Sequence, residues 1–373
     1  MAQLQGSDCG EDLIAVRRSS TLSRIGLHAT MLVLVVWSIL PFIWTFQTSI
    51  KFTRDVAAKE PVLWGYETTA NAYRAFWLDE DDINMWSVLV YILVVAVVCL
   101  ILGQIGRRVR HSWPWFTAAV GVIFVALWRF PKVWEVNDEY DFLINSIVVT
   151  VLTMLISLSI GLLAGYGLAR YTGISGAVIL IVALGFRALP RTAFVLPYFF
   201  GAKEIDDWLN SSGVGSWDFP LIDFPGIDTL QILDTRLAIV LALVAVNQPF
   251  TIWMFRSFFM EVPKEIEEAA MMDGATRLQA FRRVIIPMMW PAIIATGLFT
   301  MLLAYNEYLF VRVLAPTEWT LPVAIVSLTG GESSRTITEA AAASVSITLP
   351  IVVVIILFQK HLVKGLGAGA VKG

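Results

Sequence analysis

Eight apolar windows punctuate the chain, near residues 26–50, 85–106, 113–130, 142–169, 174–200, 236–256, 284–311 and 340–359. Each comes close to or exceeds the ~20 residues that a helix needs to cross hydrocarbon. In lipid a backbone must satisfy its own hydrogen bonds, so the pattern predicts an all-α polytopic membrane protein of about eight spans. Between the sixth and seventh windows lies a polar island. Glu261, Lys264, Glu265, Glu267, Glu268, Asp273, Arg277, Arg282 and Arg283 crowd it, and a charge at the bilayer centre costs roughly 2.5 kcal/mol or more. The island therefore lies in water at a membrane face. Pro263 suits the first turn of a helix and Gly274 a break or cap, so it reads as two short helices bent at Gly274.

Composition agrees with a bilayer solvent. Hydrophobic residues are 57% and charged residues 15% of the chain, with a mean hydropathy of +0.71, against about 45–50% and 25% in soluble domains. Arg17, Arg18 and Arg24 precede the first window, which is too long for a cleaved signal core and reads as an uncleaved first span. With the N-terminus inside, Lys and Arg concentrate in the inside segments and Asp and Glu outside, a positive-inside bias that the net charge of −3 conceals. The island and the C-terminus then face the cytoplasm. The windows at 85–106 and 113–130 must both cross or both stay out, because a single crossing would invert every later loop. The Arg107-Arg108-Val109-Arg110 turn between them favours two crossings.

The island carries more than charge. Glu268, Ala269 and Ala270, three further residues, Gly274, nine more and then Val284-Ile285-Ile286-Pro287 resemble the cytoplasmic loop of the permeases of type I ATP-binding-cassette importers. Val284 and Ile286 depart from that pattern but keep its bulk and apolarity. The resemblance extends over about 260 residues, through Asn145-Ser146, the Gly165 to Tyr171 segment and Pro249 to Met254, and these look like the carbohydrate branch. The ending Leu362 to Gly373 is similar to the maltose-type second permease subunit, whose tail reaches toward its ATPase.

The resemblance implies a six-helix permease core with an inserted two-helix hairpin. The segments are 1–25 cytoplasmic, 26–50 a first span, 51–84 an external loop, 85–130 the inserted pair, 131–359 the core with coupling helices at 261–283, and 360–373 a cytoplasmic tail. Glu268, Ala269, Ala270, Asp273, Gly274 and Pro287 would couple to an ATPase, and Lys364, Gly365, Gly369 and Lys372 would contact it from the tail. Read physically, a Gly/Ala-rich tail is equally a frayed terminus. The implied partners are two copies of a cytosolic ATPase binding ATP and magnesium, a second homologous permease and a periplasmic or lipid-anchored solute-binding protein. This chain itself would need no cofactor, metal or nucleic acid, and would sit in a bacterial cytoplasmic membrane moving a sugar or oligosaccharide by alternating access.

Polar groups inside apolar windows are candidates for the solute pathway, since burying them unpaired is expensive. These are Arg187, Arg191, Asn247, Gln248, Asn306 and Glu307. Arg187 and Arg191 are four apart and so on one helical face, with Pro190 between them loosening the helix and freeing backbone carbonyls that a cavity or a gate could use. Glu307 either meets sugar hydroxyls or neutralises an arginine. Segment 201–235 is acidic and aromatic, with Glu204, Asp206, Asp207, Asp218, Asp223, Asp228 and Asp234; it is a solvated face or a seat for a binding protein.

Other classes have little support. Neither a phosphate-binding loop nor a nucleophile elbow occurs, and Cys9, Cys99 and the isolated His28, His111 and His361 suggest no metal or disulfide framework. An ion-driven transporter would show internal repeats and paired mid-membrane charges. A polyol or glycerol phosphate stays open as the solute.

Overall fold

The computed structural model describes residues 21–60, 62–78, 85–108, 113–171, 173–212, 231–329 and 334–370. Among them no strand forms, and two isolated bridges, Lys51 with Thr68 and Leu78 with Val136, are the extended pairings recorded. In order, the helices are α1 (Thr21–Ser49), α2 (Thr53–Val56), α3 (Asn71–Trp77), α4 (Met85–Arg108), α5 (Trp113–Val133), α6 (Glu139–Arg170), α7 (Ile174–Ala188) and α8 (Thr192–Ser211). They continue with α9 (Arg236–Glu261), α10 (Lys264–Met272), α11 (Arg277–Ala280), α12 (Ile286–Met288), α13 (Trp290–Tyr305), α14 (Leu309–Leu314), α15 (Leu321–Thr329) and α16 (Ser334–Ala370).

The chain divides into two units, 1–47 and 48–373. Within the first, α1 exposes apolar side chains along its length, including Leu32, Val36 and Trp37, as a helix does when its solvent is lipid. In the second, α6 and α9 form the central pair. Gly161 and Gly165, four apart on α6, let the backbones close in: a Cβ at 161 would lie 2.9 Å from Thr251 Cβ, and one at 165 would lie 2.7 Å from Phe255 Cβ. Lipid tails are as apolar as leucine, so small residues and close van der Waals contact, rather than hydrophobic exclusion, hold membrane helices together. The α13 helix buries Ala292, Ala295, Thr296, Gly297 and Thr300 by the same rule.

Five described helices are long and apolar enough to cross a membrane, within α1, α4, α6, α9 and α16; a sixth crossing arises if 277–288 and α13, bent by 74°, count as one. The described residues do not confirm the expected eight. The 174–200 window does not form one helix: α7 stops at Ala188 and α8 starts at Thr192. Pro190 lies in the gap, and its ring and missing N–H are incompatible with an uninterrupted helix. The 113–130 window is helical as α5. It pairs with α4 as a hairpin, where Tyr91 donates to the Ala126 carbonyl at 2.9 Å. Phe130, Trp134 and Tyr91 cluster at one end of that hairpin.

Candidate functional site

Two arrangements bear on function, one at the polar turn and one within the apolar helices. The turn begins where α9 ends at Glu261. After α10, Gly274 takes φ +90°, a left-handed conformation that glycine adopts without steric cost. Ala275 N–H then reaches back to the Ala270 carbonyl at 3.1 Å and Gly274 N–H to Met271 at 3.0 Å, closing the helix end. Thr276 and Gln279 form a reciprocal capping box that starts α11. Next comes a wide π turn, Phe281–Ile285. Pro287 has no N–H to give to the carbonyl four residues back, so a regular helix cannot continue through this point. The expected two short helices bent at Gly274 are thus present, with Pro263 just before the first helical residue.

The residue that anchors this turn is Glu267, not the neighbouring Glu268. Glu267 is 5% exposed. Its carboxylate accepts from Arg170 Nε at 3.0 Å and from the Tyr166 hydroxyl, and Arg277 Nε lies 3.8 Å away. Arg170, at the end of α6, also donates Nη1 to the carbonyls of Phe259 and Val262 at 3.4 and 3.2 Å, groups left over where α9 stops. One guanidinium therefore ties α6, the end of α9 and the first turn of α10. In that first turn the glutamate also meets the positive end of the helix dipole. The Tyr166 ring packs on Phe259 and Phe281, with centroids 5.6 and 4.6 Å away, sealing the ion pair under an aromatic lid.

The opposite face of the turn is free. Glu268, Ala269, Asp273 and Gly274 are exposed, Ala270 is half-buried, and Pro287 is exposed beyond the π turn. Met272 is 87% exposed, with Leu278 also uncovered nearby.

In the membrane region, Arg187, Arg191 and Asn306 line one cavity of about 570 Å³ together with Phe250, Trp253 and Phe299. Arg187 lies in the last turn of α7 and Arg191 immediately precedes α8, so they straddle the break instead of sharing one helical face. Glu307 is only 3% exposed and is fully engaged: it pairs with Arg191, and its Oε1 accepts from the amides of Leu309 at 3.1 Å and Phe310 at 3.4 Å, which start α14. Asn247 is buried and does not line the cavity. Gln248 donates to the Ser157 carbonyl at 3.4 Å, an α6–α9 link.

Elsewhere, Asp206 is buried and receives the amides of Ile232 and Leu233 at 2.6 and 2.9 Å, and Asp234 receives that of Thr317 at 2.9 Å. Those two acids hold loops together. Asp218, Asp223 and Asp228 lie outside the described residues. So does Lys372, whereas the α16 backbone stays helical through Lys364, Gly365 and Gly369.

Residues 157–367, more than half of the chain, match the family described as the binding-protein-dependent transport system inner membrane component. The chain is 32% identical over 234 residues to the trehalose/maltose transport system permease protein MalG of Thermococcus litoralis, covering 62% of this chain and 75% of that one. It is 25% identical over 362 residues to the diacetylchitobiose uptake system permease protein DasC of Streptomyces coelicolor, covering 95% and 100%. Its fold is similar, at a TM-score of 0.59 and 20% identity over 92% of this chain and 97% of the other, to a chain of a bacterial ABC transporter that imports the acidic polysaccharide alginate. The matched region contains the end of α6 from residue 157, all of α9, the polar turn and the cavity residues, and the chain belongs to the family of inner membrane permease components of binding-protein-dependent transport systems.

Proposed function

We propose that this chain is one of two permease subunits in an ATP-driven importer of a sugar or oligosaccharide in a bacterial cytoplasmic membrane. The sugar assignment follows the trehalose/maltose and diacetylchitobiose relatives. The polar turn faces the cytoplasm with both termini, and α10 docks on a cytosolic ATPase that binds ATP and magnesium; this chain holds neither. A second permease completes the pathway, and a solute-binding protein delivers the ligand from outside.

The observation that carries this reading is the two-faced turn. Its inner face is locked to α6 and α9 through Glu267 and Arg170, and its outer face offers Glu268, Ala269 and Met272. A push on the outer face therefore moves the ends of two packed helices and not a loose loop. Glu268 is the polar contact at the ATPase, the two alanines keep the docking helix slim, and Gly274 sets the bend. Closure of the ATPase dimer on ATP would draw the turns of the two permeases together and open the cavity outward, and hydrolysis would reset it. In this reading Lys364, Gly365, Gly369 and Lys372 of the tail contact the same partner.

The test is to tag the chain, extract it in mild detergent and identify by mass spectrometry what stays bound through size exclusion. An ATPase and a second permease are expected. The chain alone, at defined stoichiometry, would refute the proposal and favour a self-sufficient transporter.

A further inference from the structure

The cavity has two arginines on its wall and one carboxylate to serve them. Glu307 is committed to Arg191. Arg187 forms no salt bridge among the described residues, and its buried Nη1 has no hydrogen-bond partner. Its guanidinium lies 4.5 Å from the Phe250 ring centroid, an arrangement that orients the cation without neutralising it. Arginine does not shed its proton, and a buried N–H without an acceptor is costly. The unpaired charge is therefore a standing demand for an anion at this wall.

The surroundings narrow the anion's chemistry. Phe250 and Phe299 meet edge to face, centroids 6.1 Å apart, and Trp253 lies on the same lining. Such rings offer flat apolar area beside the planar guanidinium fork, which binds oxyanions in two-point fashion. The local charge, two arginines against one glutamate, is balanced by a single negative group.

We propose that this cavity takes an acidic sugar, with a carboxylate or sulfate group on Arg187 and a ring face against the aromatic lining. The inference rests on the sugar-importer reading and specifies the solute. Arg187 is the anion-binding residue, and Arg191, held by Glu307, shapes the wall.

The test uses the complete importer extracted with this chain, in which Cys9 and Cys99 are replaced and Met254 on the cavity lining is changed to cysteine. Its labelling rate is measured with a sulfonate-bearing and an ammonium-bearing methanethiosulfonate of equal size. The sulfonate reagent should react about tenfold faster relative to its rate with a free thiol. The R187Q variant should abolish that preference, and R187K should keep part of it. Digalacturonate and dimannuronate should protect the cysteine, and their neutral counterparts should not. Equal rates for the two reagents would overturn the proposal, as would a preference indifferent to R187Q. Protection by sodium sulfate equal to that by the acidic sugars would reveal a bare anion site and overturn the sugar assignment. Loss of the second permease from R187Q would show that a partner's carboxylate neutralises Arg187, which also overturns it. Should R187Q not insert, the reagent preference and sugar protection in the parent protein decide. Absence of the ATPase from the extracted complex strikes at the importer reading; an intact complex that is charge-blind at position 254 strikes at this inference alone.

Discussion

Replacing Glu267 with alanine should release the polar turn from the membrane helices. The carboxylate is 5% exposed and the Arg170 side chain 15%, so removing one partner strands a cation that water reaches poorly. Breaking a buried pair from one side costs about 3–5 kcal/mol. Arg170 keeps its bonds to Phe259 and Val262, which puts the loss at the lower end, about 3 kcal/mol. At 1.4 kcal/mol per tenfold, that corresponds to a rise of roughly a hundredfold in the opening of α10. Hydrogen exchange of residues 264–280 in the assembled complex reads this directly. Glu267→Gln, which keeps the shape and an acceptor for Tyr166, should fall between alanine and the parent. The control is Glu268→Ala on the exposed face, where a surface change is worth about 0.5 kcal/mol or less. Exchange in Glu267→Ala within threefold of both the control and the parent would refute the claim that this pair holds the turn.

Three further outcomes follow from the same geometry. Gly165→Val should prevent α6 and α9 from packing, because even a Cβ would lie 3.0 Å from the Arg256 backbone nitrogen; the loss is about 1–3 kcal/mol or more, read as lost monodisperse yield, whereas Gly167→Ala, with open space around it, should be neutral. Gly274→Pro, which cannot adopt φ +90°, and Glu268→Lys should both leave the chain in the membrane but make ATP hydrolysis by the complex unresponsive to ligand; unchanged ligand stimulation in both would refute the docking assignment. Truncation after Gln359 should weaken transport without preventing insertion, and full transport by the truncated chain would reduce the tail to a passive helix end.

The polar turn was legible because its signals are local: a run of charges between apolar windows, a proline before the first helix and a glycine where φ turns positive. Glu267 stands in the sequence as one more charge of the island, because the family pattern begins only at Glu268. The helical period held the missing signal. Ile266, Ala270 and Met271 are the half-buried positions of α10, and Glu267 lies on their side, while Tyr166 and Arg170, four apart on α6, present a phenol and a cation that need an acid. The break in the 174–200 window is invisible to a hydropathy average, which runs through Pro190, where the backbone stops being helical. Glu307 could be named from its place in an apolar window, but its engagement with Arg191 links residues more than a hundred positions apart and no local pattern announces it. Arg187 and Arg191 meet at one cavity not because they share a helical face, as their spacing suggests, but across the break between α7 and α8.

The most direct test of the central claim is a cross-link from the outer face of the turn. In a chain with Cys9 and Cys99 replaced and Glu268 changed to cysteine, a short bifunctional reagent would be applied to the assembled complex with and without nucleotide, and the product identified by mass spectrometry. A cross-link to the cytosolic ATPase, altered by nucleotide, is the expected result. Failure to reach the ATPase in every nucleotide state, or labelling of this cysteine from the external side of the membrane, would contradict the account.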